Sequence, residues 1–373
     1  MASGDFNPRG GLENFGSNCY LNTIVQCLRY CPSIKDKLFS DNEMDTLLLK
    51  KIKELQNGDG NELKNSEELQ ERVDKLFVYF NLRKLIHDLY QTNSSISPNN
   101  FIRACLKLSA RTNEEHLFTE QSDIGECLAF VIDTIHEAKA NKINMTINCD
   151  EGDIKTMEQK LRYDSLSEFK KIYESSYSWV IDKYYFMIMN NINCQKCDFR
   201  TYKYESHNML SLPIPDEDDN GNITIYDCLD HYFGKEVFDS DNQWKCDKCD
   251  NKQNNYKQYR MMTTPPTLII SIKRYEKLMN GSIKKISKVV DFPMDLDISN
   301  YKLGKNKSDC QYKLFGIANH TGNMNFGHCY AFCRNIEESP DDWFCYNDTT
   351  VTKIKNIDDL FSSKAYLFMY YRV

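Results

Sequence analysis

An α+β fold, helices first and antiparallel sheet second, is predicted by one change of pattern along the 373-residue chain and by its composition. Up to about Ala140 the apolar residues recur at helical spacing; from about Tyr184 they gather in short β-branched and aromatic runs broken by turn residues. Hydrophobic residues make up 41% and charged residues 27%, with 23 Tyr and 20 Phe, which is the composition of a chain that folds around a core. The length exceeds the size at which single cores usually stop growing, so one large multi-lobed domain or two smaller ones is expected.

Leu21, Ile24, Val25 and Leu28 mark an early helix, and Ile124, Leu128, Val131, Ile132 and Ile135 a later one. Gln56 to Asn65 and Asp216 to Asn222 are polar, turn-rich stretches and read as surface loops. Thr267 to Tyr275 and Ser282 to Val290 flank Asn280-Gly281, a dipeptide suited to a tight hairpin because both central residues need positive φ. Further strands are expected at Tyr312 to Asn319, Cys329 to Arg334, Asp342 to Tyr346 and Ala365 to Tyr371. No internal repeat interrupts this order.

No window approaches the ~18 uncharged apolar residues of a membrane span. The N-terminus MASGDFNPRGG lacks the basic and apolar regions of a signal peptide, so a soluble intracellular protein, cytoplasmic and/or nuclear, is expected. The 15 cysteines are odd in number, and four fall in two Cys-x-x-Cys pairs, which favours reduced thiols and metal ligands over a disulfide framework. A formal net charge of -7 argues against a nucleic-acid partner and permits one with a basic face.

The segment GLENFGSNCYLNTIVQCL sets Cys19 after a glycine-containing loop and at the start of a helix, where the dipole and unpaired amides favour thiolate. Asn14, in the same loop, carries an amide able to meet an oxyanion. By itself a cysteine at a helix start is more often a small buried apolar residue. A thiolate enzyme needs a base, and YKLFGIANHTGNMNFGHCYAFCRN supplies His328, opening a strand after Gly327. In DDWFCYNDTTVTKI, Asn347 and Asp348 stand at a strand end, where either can orient the imidazole through its other nitrogen. Cys, His and Asn or Asp far apart in sequence is the pattern of papain-like thiol enzymes. His320, eight residues before His328, is a rival base, but the strand-opening Gly-His context belongs to His328. Asp123 and Glu126 read first as a helix cap, Asp123 at the N-cap and Glu126 reaching back. Cys194, Cys197, Cys246 and Cys249 form two knuckles able to close on one structural zinc ion.

Together these segments resemble the ubiquitin-specific protease family of cysteine deubiquitinases. The first is similar to its cysteine box GLxNxGxxCYxNxxxQxL, the second to its histidine box HxGxxxxGHY, and the third to its W-x-x-[FY]-[ND]-D segment. EQSDIGECLAFVID, PPTLIISIKRY, VVDFP and the closing AYLFMYYRV follow in the family's order, so the resemblance spans roughly Gly11 to Arg372. Ser17-Asn18, Ile124-Gly125, Cys127 and Cys329 depart from the pattern; Cys329 stands where the family usually shows Tyr.

The resemblance implies a papain-like hand: a helical thumb at about 11–140, zinc-ribbon fingers at about 190–260 and an antiparallel β palm at about 261–373, after an extension of residues 1–10. It implies Cys19 as nucleophile, His328 as base, Asn347 as the residue that orients it with Asp348 as helper, and Asn14 as oxyanion donor. Asn in place of Asp at 347 keeps the hydrogen bond and gives up a charge. Gln121, Asp123, Glu126 and His320 are implied near the tail of the substrate, and the four cysteines as zinc ligands at the fingertip. The implied partners are ubiquitin and ubiquitinated proteins, met by a monomer without nucleic acid or membrane. A non-catalytic ubiquitin reader and a protease for another ubiquitin-like modifier are the alternatives.

Overall fold

Apolar side chains at three- and four-residue spacing need a buried partner on one side, and each stripe read in the sequence forms a helix that finds one. The computed structural model describes residues 10–40, 50, 63–119, 122–149, 152, 154–216, 223–238, 242–278, 281–304, 308–323 and 327–373. Among them the helices are α1 (Cys19–Arg29), α2 (Pro32–Ser40), α3 (Leu63–Gln91), α4 (Asn99–Thr112), α5 (His116–Thr119), α6 (Ile124–Lys139), α7 (Met157–Tyr173), α8 (Trp179–Tyr184) and α9 (Ile225–Phe233). The last three were not read from the sequence. Their signal was at the start: Thr156 with Gln159 and Thr224 with Asp227 form complete capping boxes, and Ser178 caps α8.

The principal sheet runs in the order Thr350–Lys353, Ser339–Asn347, Gly327–Asn335, Gln311–Gly322, Ala365–Arg372, Thr267–Lys273, Leu210–Pro213, with Asp295–Asp297 added beside Gln311–Gly322. Its pairings are antiparallel except that of Leu210–Pro213 with Thr267–Lys273. Alternation of side chains across a strand puts Ile269, Leu367 and Met369 in a core shared with the helices. Leu268, Ile270, Phe368 and Tyr370 enter a second core on the other face, with α9. Both faces are covered, which is why these strands read as continuous apolar runs. The helix α1 packs on Gly327–Asn335 and Gln311–Gly322, inside the shared core.

A four-stranded sheet, in the order Arg200–His207, Phe186–Cys194, Asn255–Met261, Lys235–Phe238, projects the cysteine knuckles. A small hairpin of Trp244–Cys246 with Asn251–Gln253 carries the second of them. The stretches 56–62 and 217–222, expected as loops, lie outside the described residues, and Leu63 to Asn65 belong to α3.

One strand reading needs correction. Thr267 to Tyr275 and Ser282 to Val290 do not form one long hairpin: Thr267–Lys273 stays in the principal sheet, and only Tyr275–Lys277 pairs with Ile283–Lys285. Fully buried Arg274 makes the break, donating from Nε to the Ala365 carbonyl and from Nη1 to those of Ile286 and Lys288. The loop is also longer than a two-residue turn. The Leu278 N–H donates to Ser282 O and the Gly281 N–H to Leu278 O, with Gly281 at φ +82 as a left-handed closing residue requires.

Candidate active site

Cys19 is the first residue of α1, and no side chain caps that helix start. The N-cap residue Asn18 turns its amide to the Glu13 carbonyl (3.2 Å) and to Asn22 Oδ1 (3.1 Å), so the positive end of α1 is left for the thiol and for an incoming anion. The Cys19 thiol is drawn down to about 6. The Cys329 side chain beside it lowers it most, the Cys329 backbone N–H lies 3.4 Å from Sγ, and His328 adds its charge; together these outweigh burial and the Asp348 carboxylate.

His328 is the second residue of strand Gly327–Asn335, beside Thr321 on the neighbouring strand. A Cβ at position 327 would lie 2.2 Å from His320 Nε2 and 2.8 Å from the Thr321 carbonyl, so only glycine lets the strand enter there. His328 Nε2 bonds Asn347 Oδ1 at 2.5 Å, and because that oxygen only accepts, Nε2 carries a proton and Nδ1 is the nitrogen left for Cys19. Burial lowers the imidazole, but the Asn347 bond and the charges of Cys19 and Asp348 more than reverse it, leaving His328 raised above its ordinary value. Asp348 Oδ2 is 3.9 Å from His328 Nε2, an ion-pair distance rather than a hydrogen bond.

Asp348, at φ 51 in the turn after Ser339–Asn347, gathers the cysteine loop. Its carboxylate accepts from Asn14 Nδ2 (2.9 Å) and Asn22 Nδ2 (2.8 Å), and its carbonyl from the Leu12 N–H (2.9 Å). A Cβ on Gly11 would lie 2.8 Å from that carbonyl, so the loop approaches only as glycine. Of the five residues expected to act together, four meet in direct bonds, His328 with Asn347 and Asn14 with Asp348, and Cys19 adjoins them. Asn14 has one amide proton engaged on Asp348 and the other available.

A cleft of about 410 Å³ opens on Cys19, lined also by Asp123, Glu126, Tyr275, His320, Cys329 and Tyr366. Asp123 caps α6, with Oδ1 accepting from Gly125 N (2.7 Å) and Glu126 N (3.0 Å), while Oδ2 accepts from the Tyr366 hydroxyl. Glu126 is exposed in the first turn. His320 is drawn down to about 4 by burial, Lys285 and His328 against the pull of Asp123, so it is neutral. Its Nδ1 accepts from Lys285 Nζ at 2.8 Å and lies 3.2 Å from the Tyr275 hydroxyl. A nitrogen held this way is a poor base. Gln121 lies outside the described residues.

The thiols of Cys194, Cys197, Cys246 and Cys249 lie within 4.8 Å of one another. Cys194 Sγ is 4.0 Å from Cys249 Sγ, and Cys197 Sγ 3.6 Å from Cys246 Sγ. Four Zn–S bonds of about 2.3 Å set tetrahedral sulfurs about 3.8 Å apart, so the thiols present fit zinc. The knuckles are alike in detail: Asp198 (φ 53) and Asp250 (φ 54) each follow the second cysteine and donate N–H to the carbonyl of the first.

The family model for ubiquitin carboxyl-terminal hydrolase matches residues 10–370. The chain belongs to that family. Ubiquitin carboxyl-terminal hydrolase 4 of Saccharomyces cerevisiae is 26% identical over 97% of this chain and 39% of its own length, so the chain spans well under half of that relative. A probable ubiquitin carboxyl-terminal hydrolase of Acanthamoeba polyphaga mimivirus is 24% identical over 99% of this chain and 92% of its own length. The solved SAGA Ubp8/Sgf11/Sus1/Sgf73 DUB module bound to ubiquitin aldehyde matches with a TM-score of 0.70 and 24% identity, covering 100% of this chain and 71% of that one. That likeness shows the fold: the mixed helix and sheet of a ubiquitin carboxyl-terminal hydrolase catalytic domain.

Within this family fold, sequence reasoning passed over Asn22, Lys285 and Tyr366. Asn22 left a trace, being a polar residue three positions after Cys19 in a helix whose apolar stripe is buried; it is 3% exposed and so needs the partner it finds in Asp348. Lys285 and Tyr366 left none, since their contacts depend on which strands meet at the cleft. Among the described residues no helix is long and apolar enough to cross a membrane.

Proposed function

We propose that this chain is a thiol-dependent deubiquitinase hydrolysing the peptide or isopeptide bond after the C-terminal glycine of ubiquitin. The observation that carries the reading is that His328, bonded to Asn347, stands beside Cys19 from the other end of the chain, and that Cys19 opens on a cleft. Cys19 Sγ attacks the glycine carbonyl, and the oxyanion is met by first-turn amides of α1 and by the second amide proton of Asn14. The His328 imidazolium, held by Asn347 with Asp348 alongside, gives its proton to the leaving amine. It then takes one from the water that cleaves the thioester.

Asp123 and Glu126 supply negative charge for a basic substrate tail, with His320 on the same cleft, and Gln121 joins this set by the family resemblance. The thumb, fingers and palm follow the boundaries 11–140, 190–260 and 261–373. Zinc would be held by Cys194, Cys197, Cys246 and Cys249, and four thiolates would make it a structural cross-link of the fingers rather than an activator of water. The reading includes a monomer in the cytoplasm and/or nucleus, acting on ubiquitin and ubiquitinated proteins without nucleic acid or membrane; the net charge of -7 is consistent with this.

Incubation with ubiquitin bearing a C-terminal electrophile tests it. A covalent adduct is expected in the wild-type chain and absent in Cys19→Ala, which still binds ubiquitin. Binding with no adduct in the wild type would make the chain a ubiquitin reader, and a faster adduct with another modifier's probe would reassign the substrate.

A further inference from the structure

Two thiols meet at the cleft, and the roles assigned so far use only one. Cys329 is 5% exposed and Cys19 4% exposed, yet both line the 410 Å³ cleft, so a small solute reaches each. They come together across the joint between α1 and strand Gly327–Asn335, where the Cys329 backbone N–H is 3.4 Å from the Cys19 sulfur and both residues line the same cleft. Position 329 is also where the chain departs from the family pattern, a thiol replacing the usual phenol.

We infer that Cys329 is a resolving thiol, and that the Cys19–Cys329 pair is an oxidation site where a hydroperoxide closes a reversible disulfide across the cleft. The inference rests on the reading of Cys19 as a reactive thiolate. In the first step the Cys19 thiolate attacks a peroxide oxygen, the O–O bond breaks, and with one proton taken up the products are Cys19 sulfenic acid and water, or an alcohol. In the second step the Cys329 sulfur attacks the sulfenic sulfur, the S–O bond breaks, and the departing hydroxide takes the Cys329 proton to leave as water. The two thiols lose two electrons, and the peroxide gains them. The disulfide removes the nucleophile and spares it from sulfinic acid, and a dithiol restores both groups.

A second thiol pair on the same two elements is an internal control. Cys27 and Cys333 stand 4.0 Å apart between α1 and the same strand, but they are 1% and 0% exposed and do not line the cleft. Cys127, one residue after the cleft-lining Glu126, is 0% exposed and donates to the Leu117 carbonyl at 3.3 Å. Nearness alone would oxidise all of these; nearness together with access selects Cys19 and Cys329.

The test is a peptide map of the full chain after hydrogen peroxide, with remaining thiols alkylated during denaturation and no reductant in the digest. A linked pair containing Cys19 and Cys329, two hydrogens lighter than the free peptides combined, is expected, with Cys27 and Cys333 alkylated. Cys19 found as sulfinic acid, as a cyclic sulfenamide or joined to another thiol while Cys329 is alkylated would overturn the inference. In parallel, fluorescent-iodoacetamide labelling of Cys19 after peroxide and dithiothreitol should recover several-fold better in the wild type than in Cys329→Ala, and equal recovery would overturn it. Should that variant not fold, the wild-type map decides. A Cys19–Cys329 link in a chain that leaves ubiquitin uncut would support the disulfide and overturn only the substrate assignment.

Discussion

At the scale of single residues, the candidate site turns on which protonation states coexist. Cys19 is drawn down to about 6, and His328 is raised above its ordinary 6.5. A thiolate beside an imidazolium therefore exists above the first value and below the second, and the two transitions belong to the pair. The expected kcat/KM profile with a ubiquitin substrate rises through about pH 6 and falls once His328 loses its proton. The Asn347 bond is the largest influence raising His328, so Asn347→Ala should move the alkaline limb to lower pH. A limb unmoved in that variant would assign the falling transition to another group.

At the scale of elements, one carboxylate has two duties that substitution can separate. Asp123 caps α6 through Oδ1 and brings charge to the cleft. Asp123→Asn keeps an oxygen for Gly125 N and Glu126 N, so thermal stability should hold while KM for ubiquitin rises and its salt dependence flattens. Asp123→Ala should add a loss of about 1 kcal/mol in unfolding free energy. An unchanged KM in the Asn variant would leave the cap as the residue's whole role. The cysteine knuckles are a second element with a single expected duty. Elemental analysis should find about one zinc per chain and less in Cys246→Ser, whose ubiquitin affinity falls while Cys19 still reacts with a small electrophile. Metal-free protein with full affinity would show that the knuckles hold by packing alone.

Across the whole molecule, α1 joins the helices to the principal sheet, and its buried face belongs to the core both share. Buried Arg29 ties it further, donating from Nη2 to the Leu89 carbonyl at 2.9 Å between the rings of Tyr30 and Tyr90. Leu28 is 0% exposed inside this joint. Leu28→Ala should therefore cost about 3 kcal/mol of unfolding free energy, read as a lower denaturant midpoint at unchanged slope. Because the same helix positions Cys19, iodoacetamide should also alkylate that thiol more slowly in the folded variant. A stability loss with Cys19 reactivity intact would mean that the joint supports the fold without aligning the site.

The sequence alone determined what local spacing encodes: the stripes of α1 and α6, the later strands of the principal sheet, the Cys-x-x-Cys knuckles, and the segments holding Cys19, His328 and Asn347. Periodicity and short motifs span a few residues, and the chemistry of a few residues sets them. It did not show α7, whose apolar periodicity is weak, α8 and α9, which are only 6 and 9 residues long, or the break at Arg274, which follows from carbonyls supplied by distant strands. Only the tertiary structure decided that Asp348 holds Asn14 and Asn22 and that the Cys329 N–H meets the Cys19 sulfur. Those outcomes join residues some 300 positions apart, and strand register together with the packing of α1 on the sheet sets them.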